Sequence, residues 1–486
     1  MIHAKLNLFL ITHIISIVII FESIFMFLAT LVSFIYKEPI IPQFLITFTA
    51  TFASGFLLNF VTKNQRKVEP NKHESVLIVC LSWFILGLVG TLPFLATGAI
   101  PEFVNAFFES ISGFTTTGSS ILSDIEAMPK SILFWRAETH WIGGMGIIVL
   151  VVAIMPFLKI HGVHLFYSES SNVASEKVSA RIRDVARNMW LVYIGLTAAE
   201  IVFLKLGRMP LFDCICHSFA TIATGGFSTQ NDSIAGYSPY IQYVVMFFML
   251  LSGINFVLHV FLLRKNFRMV KKNEELRLYM TIIISVGMLI TVFLFLNHDL
   301  RFEQAFRDSF FQVISIITAT GFATADYIQW PMQAILLIAI LMLIGASSGS
   351  TGGGVKVIRH VILMKQIRYS FREIINPHRI NVIHYNGQVL KLGNVSSIIS
   401  FIAVYYLIVL IGTLILIAMG LDSATSFGAA ATSMAGIGPG FGTVGPVSNF
   451  FHLPTGAKYL LTILMVVGRL EIYAVLIVFT RAFWRP

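Results

Sequence analysis

Long apolar segments alternate with shorter polar ones along almost the whole chain. Ten of these apolar segments approach or exceed the roughly 20 residues that a helix needs to cross a bilayer. They cover residues 8–36, 42–61, 75–97, 134–158, 188–207, 237–263, 276–296, 331–358, 395–419 and 457–483. The pattern therefore predicts an all-α membrane protein with ten spanning helices.

Composition and charge support this prediction. Hydrophobic residues make up 56% of the 486 residues and charged residues 12%, about half the charged share of a typical soluble domain. A net charge of +10 can indicate a nucleic-acid partner, but here most of the 34 Lys and Arg residues fall on one face when the spans alternate. By the positive-inside rule this face is cytoplasmic. We therefore expect both termini in the cytoplasm and no nucleic-acid partner.

Four short stretches of similar sequence recur along the chain, which is the mark of a repeat architecture. Each follows a long and a shorter apolar segment and precedes another long one. The stretches are Thr115-Thr116-Thr117-Gly118, Ile222-Ala223-Thr224-Gly225, Thr318-Ala319-Thr320-Gly321 and Ala435-Gly436-Ile437-Gly438. Four units of span, short helix and span predict a central fourfold pore, with two extra spans before the first unit.

The repeat divides the chain into five parts. We expect a two-helix segment at residues 1–70, followed by pore repeats at residues 71–165, 166–272, 273–393 and 394–486. The shorter apolar segment in each repeat is too brief to cross a bilayer. We expect it to form a re-entrant half-helix, which is tolerated at membrane depth only where it is buried in protein or lines a water-filled cavity.

The stretches themselves are candidate cation ligands. A single Thr-Gly pair is common at turns, so the argument depends on four of them at one position of the repeat, with Gly118, Gly225, Gly321 and Gly438 aligned without a gap. Backbone carbonyls that face one axis can replace the hydration shell of a cation, and glycine permits the dihedral angles this requires. The expected ligands are the carbonyls of Thr116, Thr117, Gly118, Ala223, Thr224, Gly225, Ala319, Thr320, Gly321, Gly436, Ile437 and Gly438.

The same motifs resemble those of the Trk, Ktr and HKT superfamily of potassium transporters, and the likeness covers essentially the whole chain. They are Gly113-Phe-Thr-Thr-Thr-Gly118-Ser, Ala223-Thr-Gly225-Gly-Phe-Ser-Thr229, Thr318-Ala-Thr-Gly321-Phe-Ala-Thr324 and Gly436-Ile-Gly438-Pro-Gly440. The two extra N-terminal spans resemble the Trk branch. The fourth stretch departs furthest, because it has Gly436 and Ile437 where threonine is common elsewhere.

This resemblance implies potassium uptake across the bacterial inner membrane. Family members with serine at the first filter position tend to admit sodium, so glycine at all four positions implies potassium selectivity. The resemblance also implies a homodimer on a cytoplasmic ring of nucleotide-binding regulatory subunits. We expect no cofactor other than the transported K⁺ and no enzyme activity, because we find no catalytic constellation, metal-ligand cluster or nucleotide fingerprint. A symporter coupled to protons or sodium, through Glu22, Glu200 or Glu471, stays open.

A glycine-rich segment interrupts the second span of the third repeat. It consists of Gly345, Ala346, Ser347, Ser348, Gly349, Ser350, Thr351, Gly352, Gly353 and Gly354. Glycine at this density breaks a helix. A nucleotide-phosphate loop is the rival interpretation, but Lys356 is followed by Val357 and not by serine or threonine. The resemblance implies that this segment gates the pore beneath the filter, and we expect the interruption in this repeat alone.

Arg469 lies inside the last apolar segment, where an ionisable side chain is costly and has a paired or functional role. It forms either an ion pair with a neighbouring helix or, as the resemblance implies, an electrostatic part of the gate. An arginine that faces a cation path repels the ion. We therefore assign Arg469 to control of the pore and not to ion binding.

Overall fold

The computed structural model describes residues 6–66, 68, 70–153, 175–297, 300–376 and 382–484. Helices account for nearly all of the regular structure in these ranges. The helices of the first two repeats and of the preceding segment are α1 (Leu8–Ile35), α2 (Ile41–Val61), α3 (Lys72–Val89), α4 (Leu92–Thr97), α5 (Phe103–Phe114), α6 (Lys130–Ala153), α7 (Ser175–Leu206), α8 (Leu211–Ile222), α9 (Pro239–Ser252), α10 (Phe256–Leu263) and α11 (Phe267–Lys272).

In the remaining two repeats the described residues form nine further α-helices and one small hairpin. They are α12 (Glu274–Asn297), α13 (Phe302–Ile317), α14 (Met332–Met342), α15 (Val357–Ile375), β1 (His384–Tyr385), β2 (Gln388–Val389), α16 (Leu392–Ala418), α17 (Ser423–Ala435), α18 (Thr455–Arg469), α19 (Ile472–Leu476) and α20 (Arg481–Trp484). The strands β1 and β2 pair antiparallel. The hairpin lies near the end of the third repeat, before α16.

Six of the described helical segments are long and apolar enough to cross a membrane, or eight if each bent helix pair counts as one span. This makes the chain a multi-pass membrane protein. The helices α6 and α14 overlap the other two expected spans, residues 134–158 and 331–358, although α14 has only 11 residues. The count of ten continuous spans is therefore not confirmed, because several expected spans are broken.

The prediction that only the third repeat contains an interrupted span is wrong. The pair α9 and α10 is bent by 99°, and α18 and α19 are bent by 113°. At the first bend the Asn255 side chain accepts a hydrogen bond from the Val257 N–H at 2.9 Å and so begins a new helix. At the second bend Glu471 has a φ of +61°, which a continuing right-handed helix does not allow.

A short helix lies at each of the four places where the sequence predicts one. These helices are α5 and α8 with 12 residues each, α13 with 16 and α17 with 13. The Asp422 side chain begins α17 by accepting a hydrogen bond from the Thr425 N–H at 2.9 Å. The last two turns of all four helices are buried, so their C-terminal ends point into the protein interior.

Candidate functional site

Each of the four short helices leads into a loop of the same backbone conformation. In every loop two residues with positive φ flank one residue without it, and these pairs are Thr116 and Gly118, Thr224 and Gly226, Ala319 and Gly321, and Gly436 and Gly438. Positive φ is costly for threonine and alanine, and such strain persists mainly at functional sites. The alternation turns successive carbonyl groups toward the same side of the chain, which a regular strand does not do.

The second loop is shifted by one residue from its predicted alignment. The N–H at the third position of each loop donates to the carbonyl five residues earlier, in the pairs Thr117 to Ser112, Gly225 to Ala220, Thr320 to Ser315 and Ile437 to Thr432. Gly226 and not Gly225 therefore corresponds to Gly118. The candidate ligands of this repeat become Thr224, Gly225 and Gly226 in place of Ala223, Thr224 and Gly225.

The four loops close into a ring in chain order. A methyl group added at the last glycine of one loop would meet the next loop. It would overlap or press against the carbonyl oxygen of the residue that precedes the last glycine there. The pairs are Gly118 with Gly225, Gly226 with Thr320, Gly321 with Ile437, and Gly438 with Thr117. Each loop thus supports its neighbour, and only a glycine fits where they meet.

Partial charges and not ionised side chains make this ring attractive to a cation. The short helices end directly at the ring, so the negative ends of their dipoles face it. The hydroxyl-bearing residues Thr116, Thr117 and Thr320 are buried. The candidate ligands include no charged side chain, which suits a site that must bind an ion and then release it.

Acidic residues follow three of the loops in the chain, at Asp124, Asp232 and Asp326. The Asp124 carboxylate accepts a hydrogen bond from the Asn231 amide at 3.2 Å and thereby joins the first two repeats. At the start of α17, hydrogen bonds from the Thr425 side chain and N–H lower the pKa of Asp422. This carboxylate therefore stays ionised at neutral pH and adds negative charge there.

The predicted glycine-rich segment forms a closed loop, residues 345–354, between α14 and α15. Backbone hydrogen bonds from Gly345 to Val355, at 2.8 Å, and from Val357 to Ala346, at 3.1 Å, close its neck. The Lys356 ammonium donates to the Gly352 carbonyl across the loop. This lysine thus stabilises the loop itself.

This loop lies against the ends of three short helices. The Thr351 hydroxyl donates to the Ile222 carbonyl at 3.0 Å. Methyl groups added at Gly352 and Gly353 would meet the carbonyl oxygens of Thr318 and Ala435. The loop therefore packs directly beneath the ring, against the C-terminal ends of these helices.

The bend between α9 and α10 is built around the same loop. The Ser347 N–H donates to the Gly253 carbonyl at 3.0 Å, and the Phe256 N–H donates to the Gly349 carbonyl at 3.0 Å. These groups are free to bond the loop because the helix is broken there. The interruptions of the second and third repeats thus form one structural unit.

A buried carboxylate on α12 holds the other side of the loop. Glu275 accepts hydrogen bonds from the Ser348 N–H at 2.6 Å, the Ser348 hydroxyl at 2.8 Å and the Ile358 N–H at 3.1 Å. It therefore joins the loop to the first turn of α15. The sequence reasoning missed Glu275, although an acidic residue at the start of a span, like the arginine of the last span, is a signal of function.

Arg469 reaches the loop from the fourth repeat. It is buried, and its guanidinium donates to the Thr351 carbonyl at 2.7 Å and to the Gly143 carbonyl at 3.0 Å. Among the described residues its recorded polar partners are these carbonyls, and the neighbouring Glu471 pairs with Arg359 instead. The geometry thus favours contact with the glycine-rich loop over the alternative of an ion pair.

Two further ionisable residues near the ring were also missed from the sequence. Arg136 and His140 lie on α6, are buried, and contact the first and second loops. Both belong to the apolar segment 134–158, so the reasoning applied to Arg469 also applies to them. They were overlooked because they lie close to the outer end of that segment.

Comparison with known proteins identifies the family. The TrkH family, described as a cation transport protein, matches residues 40–485. The chain belongs to this family. It is 36% identical to the Trk system potassium uptake protein TrkH of Salmonella typhimurium over 98% of the chain and 99% of that protein. It is 33% identical to the TrkG protein of Escherichia coli, over 98% of both chains.

A solved structure of the family has the same fold. The crystal structure of the potassium transporter TrkH from Vibrio parahaemolyticus superposes with a TM-score of 0.90. It is 33% identical in sequence, and the match covers 99% of this chain and 100% of that one. The TrkH family fold therefore extends over essentially the whole chain, including the loops that form the ring.

Proposed function

We propose that this chain mediates potassium uptake across the cytoplasmic membrane through the ring of four loops. The observation that carries the proposal is the closed ring, in which each loop has the same alternating backbone conformation and meets the next through a glycine. Buried carbonyls in this arrangement suit a dehydrated monovalent cation. Relatives that match nearly the whole chain are named as potassium uptake proteins.

The finer architecture belongs to the same proposal. The chain contains ten membrane segments, four of the pore repeats and two extra N-terminal helices, with both termini in the cytoplasm of a bacterial cell. The basic loops on one face support this orientation. The bent helices α9–α10 and α18–α19 each complete one of these segments as a broken span buried against the loop beneath the ring.

The loop of residues 345–354 is the proposed gate. It lies beneath the ring and is held by Ile222, Glu275 and Arg469, which belong to the second, third and fourth repeats. Opening requires these hydrogen bonds to break together, which gives a two-state element that a regulator can bias. Because relatives are named after the Trk system, we propose a homodimer that works with cytoplasmic nucleotide-binding regulatory subunits.

Ion flux in reconstituted vesicles tests the proposed function. Purified chain in liposomes should take up ⁸⁶Rb⁺ down a K⁺ gradient, and excess external Na⁺ should compete weakly. The reversal potential should follow the K⁺ gradient alone. A reversal potential that moves with pH or with the Na⁺ gradient would reject the passive pore in favour of the symporter, and absence of any K⁺ flux would reject both.

A further inference from the structure

One buried cation ties the first and second loops of the ring together. Arg136 on α6 is 1% exposed, and its Nε donates to Glu109 Oε1 at 2.8 Å. Its Nη1 donates to the Ser228 carbonyl at 3.2 Å, and its Nη2 donates to the Ser120 hydroxyl at 3.2 Å. Ser120 and Ser228 each lie two residues beyond the last glycine of a loop. A single guanidinium therefore holds the chain where it leaves both loops.

The partner carboxylate fixes the first of these exits to its own short helix. Glu109 on α5 is completely buried. Its Oε1 also accepts from the Ser120 hydroxyl at 2.9 Å, and its Oε2 accepts from the Ile121 N–H at 2.9 Å. Both carboxylate oxygens are thus used. Removing either member of such a buried ion pair leaves an uncompensated charge, which costs several kcal/mol.

A second contact from α6 holds the exit of the second loop. Phe227 lies between the Arg136 guanidinium, 4.1 Å from its ring centroid, and the His140 ring, at 4.1 Å between centroids. The His140 Nε2 accepts from the Phe227 N–H at 3.1 Å, and Nδ1 bonds the Gly113 carbonyl at 2.8 Å. This network assigns the proton to Nδ1. The second loop is therefore anchored to the first short helix by two side chains.

We propose that Arg136, together with Glu109 and His140, is a positioning residue that sets the spacing of the first two loops and thereby ion selectivity. This inference rests on the proposed function, because it requires the ring to be the selectivity filter. Selection by carbonyls depends on the size of the site and on the field of its ligands. A small shift of one loop against the next therefore changes the preference for K⁺ over Na⁺ before it abolishes permeation.

Neutral hydrogen bonds lie at the other three junctions of the ring. The Ala323 N–H donates to the Ser233 hydroxyl at 3.2 Å between the second and third repeats. The Tyr327 hydroxyl donates to the Gly440 carbonyl at 2.7 Å between the third and fourth, and the Ser119 hydroxyl donates to the Gly438 carbonyl at 3.2 Å between the fourth and first. Among the contacts between described residues at these junctions, the first differs because a buried ion pair supports it, so charge removal there should have the largest effect.

Substitution of the ion pair in the full chain tests the proposal. Proteoliposomes with Arg136→Gln should transport K⁺ with a K⁺ over Na⁺ preference reduced about tenfold, a change equivalent to about 1.4 kcal/mol. Arg136→Lys keeps the positive charge but loses the planar guanidinium with its several N–H donors. Its preference for K⁺ over Na⁺ should lie between that of the unmodified chain and that of Arg136→Gln. The double variant Glu109→Gln with Arg136→Gln leaves no buried charge and should recover part of the preference.

Gln242 provides a matched control. It lies in the first turns of α9, is buried, and its amide donates to the carbonyls of Ile234, Ala235 and Tyr237, all within its own repeat. Gln242→Leu removes comparable hydrogen bonds next to the second junction, where the Ile234 N–H donates to the Ala323 carbonyl, and leaves the ion pair of the first junction intact. Its K⁺ over Na⁺ preference should equal that of the unmodified chain, and a tenfold loss in this variant would overturn the assignment to Arg136.

The outcomes separate this inference from the proposed function. A single size-exclusion peak and a thermal melt show whether the Arg136→Gln protein is folded. If the folded variant keeps the original preference for K⁺ over Na⁺, the inference is overturned. If that variant does not fold, His140→Gln replaces it. This substitution removes the imidazole that stacks on Phe227, while the glutamine side chain still offers an amide for hydrogen bonding. An unchanged preference in folded His140→Gln overturns the inference as well. Failure of the unmodified chain to conduct K⁺ rejects the proposed function instead.

Discussion

At the scale of single residues, backbone strain marks the functional loops more sharply than residue type does. Thr116, Thr224 and Ala319 have φ between 51° and 59°, a region that costs about 1 kcal/mol or more for a side chain with a Cβ. The sequence predicts four loops of this kind, but it cannot show which of Gly225 and Gly226 is equivalent to Gly118. Only the hydrogen bonds and the closure of the ring decide that register.

Gly118→Ser tests the closure of the ring at one residue. Gly118 has a φ of +81°, and a side chain there would overlap the Gly225 carbonyl of the next loop. We expect the preference for K⁺ over Na⁺ to fall by about tenfold or more, measured as Na⁺ competition against ⁸⁶Rb⁺ uptake. Gly98→Ser is the control, because Gly98 also has positive φ but nothing packs against it. If Gly118→Ser and Gly98→Ser had the same preference for K⁺ over Na⁺, Gly118 would not be part of the proposed filter.

Arg469→Gln tests control of the gate by charge. The Arg469 guanidinium makes two hydrogen bonds, one of them to the Thr351 carbonyl of the gate loop, the proposed gate of residues 345–354. Hydrogen bonds to a charged group contribute about 1.5–3 kcal/mol each. Their loss should favour the open state and raise basal K⁺ flux about tenfold. The measurement is unidirectional ⁸⁶Rb⁺ flux per folded protein. A lower flux in a folded variant would assign Arg469 to support of the pathway and not to its closure.

At the scale of helices, the interruptions are the part of the fold that apolar periodicity could not locate. Glycine density identified the loop of residues 345–354, because five glycines in ten residues cannot continue a helix. The break at Gly253 and Asn255 has no such glycine density, and neither has the break at Glu471, although Arg469 lies just before it. At the first break the freed backbone groups of Gly253 and Phe256 bond the loop, and at the second Glu471 pairs with Arg359 of α15, so both breaks are tied to tertiary contacts.

Deletion of residues 348–353 tests the loop as an element. The deletion removes the contacts to Glu275, to Ile222 and to the Arg469 guanidinium. Basal K⁺ flux should rise about tenfold or more if these contacts hold the pore closed, while the preference for K⁺ over Na⁺ should stay the same, because the ring is intact. Flux in liposomes and a thermal melt are the measurements. Unchanged flux in a folded protein would show that the loop does not obstruct the pathway.

At the scale of the whole molecule, fourfold symmetry holds in the ring and fails beneath it. The four loops share one conformation, yet the gate loop comes from the third repeat and is bonded by the second repeat, by α12 and by the fourth repeat. One element that is held by several repeats can respond to movement in any of them. The sequence predicts both the repeat and the loop, but the convergence of these contacts requires the folded chain.

A reversible cross-link tests whether the gate loop must leave α12 for the pore to open. The Ser348 hydroxyl and the Glu275 carboxylate are in contact at 2.8 Å. Because a glutamate side chain is longer than a cysteine, thiols at these two positions are linked with a short bifunctional methanethiosulfonate reagent, after Cys80, Cys214 and Cys216 are replaced. The reagent should lower K⁺ flux to less than about a tenth, and a reductant should restore it, because the loop is then held beneath the ring. The single variants Ser348→Cys and Glu275→Cys cannot form the link and should keep their flux. Full flux through completely cross-linked protein would show instead that ions pass while the loop stays in place, and control would then belong to the ring itself.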